Sequence, residues 1–190
     1  MDAAEQLLDE VGIDGTTGAA IIAVAGNRNS AAVNYHFGNL DELIRAVLDR
    51  RAVELNAQRH ELFDALDAAG TTDPRAVFLA MTDPLTDLLE REEGRRYLRV
   101  LNQVSNHPRF APVAHRELST SVERGGVLLA PLVAHLGPRQ QRHRSRNITA
   151  FVFHTLAEQA RAIDAAEPDL LGPQEFRDDL ADTSLAALAA

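Results

Sequence analysis

Apolar residues return at three- and four-residue intervals from Ala4 to Leu188, and no stretch alternates apolar with polar as a strand would. That period lines them along one side of a helix, so the chain must bury one helical face against another. Glycine and proline divide the pattern. Ala4, Leu7, Leu8 and Val11 share a face that Gly12 closes as a left-handed cap. Thr16 or Thr17 can cap a second helix through Val24, its hydroxyl accepting an otherwise orphaned amide. Gly26-Asn27-Arg28-Asn29-Ser30 reads as a tight polar turn, and a short third helix from about Ser30 to Phe37 ends at Gly38. Asn39 and Glu42 form a capping-box-like pair before a long fourth helix. Ile44, Leu48, Leu55, Leu62 and Leu66 share its apolar face as far as Ala69-Gly70.

Asp73-Pro74 is an N-cap with proline at the first helical position. Phe78, Met81, Leu85 and Leu88 keep the helical period, and Pro84 within that run is expected to kink or divide it. Glu92-Glu93-Gly94 is expected to break the chain before Tyr97, Leu98, Leu101 and Val104 mark another helix, stopped at Asn106-His107-Pro108. A bent or split stretch follows from about Phe110 to Leu136, interrupted by Gly125-Gly126 and Pro131 and ended by Gly137-Pro138. Ile148, Phe151, Val152, Thr155, Leu156 and Ile163 form the strongest stripe. After Gly172-Pro173 a terminal helix carries Phe176, Leu180 and Leu188. The expectation is an all-α protein of about nine or ten helices, with a three-helix N-terminal unit over residues 1–50 joined by the long helix to a helical domain over 51–190.

Composition narrows the function classes. A length of 190 residues suffices for a sizeable core. No apolar run approaches the roughly 18 residues needed to cross a bilayer. Met1-Asp2-Ala3-Ala4-Glu5 lacks the basic and apolar regions of a signal peptide, and there is no cysteine for disulfides or thiolate metal sites. A cytoplasmic protein is expected. His107, His115, His135, His143 and His154 are too scattered for a metal-ligand spacing, and neither a Gly-rich phosphate loop nor a Gly-x-Ser-x-Gly elbow occurs. No catalytic group, metal or cofactor is therefore expected. All 19 basic residues are arginine, against 28 acids and a net charge of −9; within residues 1–50, Arg28, Arg45 and Arg50 face eight acids. That balance opposes nucleic-acid binding, because phosphate neutralisation normally supplies much of the affinity. DNA binding has to be read from the local pattern.

Three short helices before a long one, the second and third joined by a glycine-containing turn, is the layout of a helix-turn-helix unit. Arg28, Asn29, Ser30 and Asn34 put donors and acceptors on the turn and outward face, where arginine can read guanine and asparagine adenine. Ala31 and Ala32 are small enough for close approach to a groove, and Val33 and Phe37, four apart, can hold the third helix on the first two. The string Ile21-Ile22-Ala23-Val24-Ala25-Gly26, the following run that ends Tyr35-His36-Phe37-Gly38, and then Asn39-Leu40-Asp41-Glu42-Leu43 closely resemble the signature of the tetracycline-repressor (TetR) family. The resemblance covers residues 3–50. It implies a transcriptional repressor that binds palindromic operator DNA as a homodimer and is released by a small-molecule effector. It also implies phosphate-contacting roles for Thr17, Tyr35 and His36. The expected DNA-binding set is then Thr17, Arg28, Asn29, Ser30, Ala31, Asn34, Tyr35 and His36. Two departures stand out. Leu40 occupies a position that is usually basic in the family, and the chain starts almost inside its first helix, where members usually carry further residues, often basic. Either a leader precedes it or its DNA binding is weaker.

From residue 51 onward the resemblance implies a helical regulatory domain with a ligand cavity and a dimer interface built from the last two long helices. The expected cavity residues are Phe78, Met81, Tyr97, Leu101, Val104, Val122, Phe151 and His154, each of which could equally be plain core. The expected interface is Ile148, Phe151, Val152, Thr155, Leu156, Ile163, Phe176 and Leu180, although the same face could pack within one chain. Arg95, Arg96 and Arg99 suggest an anion site or a solvated basic face. The competing function is a dimeric helical ligand-binding or interaction module that has lost strong DNA binding.

Overall fold

In the computed structural model, which describes residues 1–26, 29, 31–110 and 119–190, all regular structure is helical. Among the described residues there are nine α-helices: α1 (Asp2–Gly15), α2 (Gly18–Val24), α3 (Ala32–Phe37), α4 (Leu40–Ala68), α5 (Pro74–Thr86), α6 (Glu92–Asn106), α7 (Ser119–Leu129), α8 (Pro138–Asp164) and α9 (Pro173–Ala189). Short 3₁₀ turns occupy Asp87–Glu90 and Ala130–Val133. Side-chain caps set several starts. The Ala20 amide donates to Thr17 Oγ1 at 3.2 Å for α2, the Glu42 amide to Asn39 Oδ1 at 3.0 Å for α4, and the Ala76 amide to Asp73 Oδ2 at 3.1 Å for α5. Gly38, at φ 81°, ends α3 in a conformation that side chains disfavour.

Some boundaries differ from expectation. Gly12, at φ 76°, does interrupt α1 where expected, but a further short turn beyond the kink carries the helix on to Gly15. Pro84 falls in the last turn of α5, and the chain tightens into the 3₁₀ turn just after it. Glu92-Glu93-Gly94 is no break. It forms the first turn of α6, where the two carboxylates meet the positive end of the helix dipole, and the interruption lies at the extended residue Arg91. Gly125 and Gly126 lie within α7, while residues 111–118 of the expected bent stretch fall outside the described set. Leu62 is exposed, and the buried side of α4 runs through Leu55, Arg59 and Phe63 instead.

Two apolar clusters hold the helices. Ala4, Leu7, Ile21, Ile22, Val33, Leu43 and Val47 tie α1, α2 and α3 to the first turns of α4. The larger cluster gathers Leu8 and Ile13 of α1, Ile44, Leu48 and Leu55 of α4, Leu101 of α6, Leu156 of α8 and Leu180 of α9. Complete burial of a side chain such as Leu156 contributes about 2 kcal/mol. α4 belongs to both clusters, and α6 packs against both α1 and α8. Ion pairs cross the same seams. Arg99 donates to both carboxylate oxygens of Asp9 at 2.7 and 2.6 Å and to Asp164 at 2.5 Å, Arg109 pairs with Asp41, and His107 Nε2 lies 3.4 Å from Asp14. Arg95 pairs with Asp164 and Arg96 with Glu92, so the three arginines of α6 are matched to carboxylates and are neither an anion site nor an unpaired basic face. Among the described residues no helix is long and apolar enough to cross a membrane.

Candidate nucleic-acid interface and ligand cavity

The six residues of α3 are graded from inside to outside, with Phe37 half-buried against the apolar cluster. Ala32 and Val33 are buried, Val33 beside Ile21 and Ile22 of α2, which leaves Asn34, Tyr35 and His36 facing solvent. Tyr35 is 82% exposed, and its ring meets the edge of the His36 ring at a centroid distance of 5.0 Å. A Cβ at Gly18 would lie 3.9 Å from the Val33 side chain, an ordinary contact, so the approach of α2 to α3 does not require glycine there. Asn29 leads into α3: its Oδ1 accepts from the Ala31 amide and its carbonyl from the Ala32 amide, both at 3.0 Å. Thr17, Asn29, Ala31, Asn34, Tyr35 and His36 of the expected set are all exposed, while Arg28 and Ser30 lie outside the described residues. Leu40 is half-buried and packs against both apolar clusters, a contact that a basic residue at this position would lose. Around this surface Arg45 pairs with Glu42, Arg50 with Asp2 and Glu5, and Arg51 approaches Glu5 at 4.0 Å. The hydrogen bond from Arg50 holds the Asp2 carboxyl below the usual range.

A cavity of about 110 Å³ lies among α4, α5, α7 and α8. Of the residues expected in it, Phe78, Met81 and Val122 line it, together with Arg59, Thr82, Leu85, Ile148, Thr149, Val152 and Phe153. Tyr97, Leu101 and Val104 do not; they are fully buried in the core around α6. Phe151 and His154 do not either, because the cavity face of α8 repeats at 148, 149, 152 and 153 and turns positions 151 and 154 outward. Gly125 makes room for Met81: a Cβ there would stand 2.4 Å from the methionine Sδ.

Arg59 was not anticipated. It is 3% exposed, its Nε donates to the Met81 carbonyl at 2.7 Å, and its Nη1 is buried without a partner. Burial pushes its pKa down to about 10, so it remains a cation at neutral pH. Its position was legible in principle, four residues after Leu55 and four before Phe63, in the middle of an apolar stripe. The hydroxyl of Tyr97 is also buried and unpartnered, and burial raises its pKa. Tyr97→Phe removes that hydroxyl and is expected to leave stability unchanged or raise it by about 1 kcal/mol, measured by urea denaturation. A clear loss would mean that the hydroxyl has a partner in solution.

The expected dimer face is mostly interior. Val152, Leu156, Phe176 and Leu180 are buried within the single chain, where α8 lies on α6 and α9 on α5, and so have no area to offer a second copy. Ile148 lines the cavity, and Ile163 lines a separate hollow of about 170 Å³ with Phe176 and Leu171. Phe151 remains exposed and Thr155 half-buried. Helical periodicity reveals that a face is buried without revealing which element buries it; here α6 does. Among the described residues no three histidine or carboxylate side chains are grouped to hold a metal ion. No family model matches the chain, and no curated protein does.

Proposed function

We propose that the protein is a ligand-responsive transcriptional regulator of the tetracycline-repressor type, a cytoplasmic repressor that binds a palindromic operator as a homodimer. The observation that carries this reading is α3, whose inner side is packed on α2 while Asn34, Tyr35 and His36 project outward. A short helix held in that way can lie in a major groove with polar side chains toward bases and phosphates. The cavity beside α4 supports a response to ligand, since a molecule that favours one arrangement of the cavity helices shifts the population of reading heads able to dock.

Footprinting on DNA flanking the protein's own gene, at low and moderate salt, tests the reading. The expected result is protection of a palindrome. Tyr35→Ala is expected to lower operator affinity at least about tenfold without changing the melting temperature, because that ring makes little contact with the folded chain. Unchanged affinity would remove Tyr35 from the interface. Size-exclusion chromatography with light scattering tests the dimer. A second reading, a helical ligand-binding module without strong DNA affinity, is favoured by the pairing of Arg45, Arg50 and Arg51 with carboxylates of the same unit. Absence of protection at every salt concentration would select it.

A further inference from the structure

We propose that the cavity among α4, α5, α7 and α8 holds a small apolar monocarboxylate, with its carboxylate paired to Arg59. The inference deepens the regulator reading by naming the class of effector, and the binding itself is read without DNA.

The donors on the cavity wall set the chemistry. Thr82 Oγ1 donates to the Phe78 carbonyl at 3.0 Å and Thr149 Oγ1 to the Ser145 carbonyl at 3.0 Å, so both hydroxyl protons are committed to their own helices. The Arg59 Nε is committed to the Met81 carbonyl and Nη1 is buried without a partner, which leaves the terminal guanidinium group to meet an anion. No carboxylate pairs with it among the described residues. A buried cation without a counter-ion is costly, and a bound anion removes that cost. Carboxylates match the guanidinium fork with two parallel hydrogen bonds. The remaining walls, including Phe78, Leu85, Ile148, Val152 and Phe153, are apolar, so the rest of the ligand is hydrocarbon. One guanidinium neutralises one negative charge, which favours a monocarboxylate over a phosphate ester. A volume near 110 Å³ accommodates about five non-hydrogen atoms. Propionate and butyrate are of that size.

Titration calorimetry of the full chain at neutral pH, with propionate, butyrate and the corresponding neutral amides as probes, tests the proposal. At least one acid is expected to bind tenfold or more tightly than its amide. Arg59→Met keeps the apolar volume and removes the charge; it is expected to abolish that preference while melting no lower than the parent. Acids that bind no better than their amides overturn the proposal, as does a preference that survives Arg59→Met. Should that variant fail to fold, the acid–amide comparison on the parent decides alone. An acid that binds without altering operator affinity leaves the carboxylate site standing and removes the regulatory role.

Discussion

Gly94→Ala is expected to destabilise the protein by about 3 kcal/mol or more, although alanine favours a helix over glycine by about 1 kcal/mol. Gly94 lies in the first turn of α6, where an added Cβ would stand 2.1 Å from the Leu88 carbonyl oxygen and 2.8 and 2.9 Å from that residue's C and Cα. Those atoms are backbone and cannot rotate aside, so the 3₁₀ turn Asp87–Glu90 would have to lift from α6. Gly126 supplies the comparison. It sits in α7, is exposed, and has nothing within 4 Å of its Cβ position, so alanine there is expected to raise stability by about 1 kcal/mol. Urea denaturation of both variants measures the contrast. If Gly94→Ala proves as stable as the parent, the two segments do not touch in solution as described.

Arg99→Met is expected to lower stability by about 2–3 kcal/mol, between the values typical of exposed and fully buried pairs. The side chains of Arg99 and Asp9 are 13% and 16% exposed, and losing the guanidinium strands Asp9 on α1 and weakens the hold on Asp164 of α8. Hydrogen exchange is expected to accelerate along α1, which loses a tie to α6. The acid side changes as well. Against the burial that would raise it, hydrogen bonds from Arg95 and Arg99 hold the Asp164 carboxyl below its ordinary pKa. A carboxylate of lowered pKa contributes stability above its unfolded pKa, and that contribution is lost as pH falls through the folded value. Arg99→Met should therefore flatten the fall in stability on acidification. Arg96→Met, which removes only an exposed pair with Glu92 four residues away, should cost less than about 0.5 kcal/mol. Equal losses in the two variants would mean that the Asp9–Arg99–Asp164 bridge contributes no more than a surface contact.

Features governed by local chemistry were legible in the residues. Thr17, Asn39 and Asp73 are caps because each presents a side-chain oxygen to an amide three residues on. The outward placement of Asn34, Tyr35 and His36 follows from Val33 and Phe37 packing inward, whereas Ala32, expected at the groove, is buried with them. Features set by distant packing were not legible. Two acids and a glycine at residues 92–94 look like a loop, yet the glycine serves a contact with Leu88 that sequence spacing does not display. Of the stripe on α8, Val152 and Leu156 are buried within the same chain, where α8 packs on α6, while Phe151 stays exposed. Arg59 escaped because an arginine is normally assigned to solvent, and only its place between Leu55 and Phe63 marks it as interior.

α4 is a single rod of 29 residues, seated at its start in one apolar cluster and along its length in the other. At 1.5 Å per residue, Arg59 stands about 28 Å along the axis from Leu40. In the proposed regulator a stiff member of that length would act as a lever. Pivoting by about 5° near Arg59 swings its far end through roughly 2.5 Å, close to the length of a hydrogen bond. Contacts at α3 could thus be brought into or out of reach by an event deep in the protein, with no helix melting along the way.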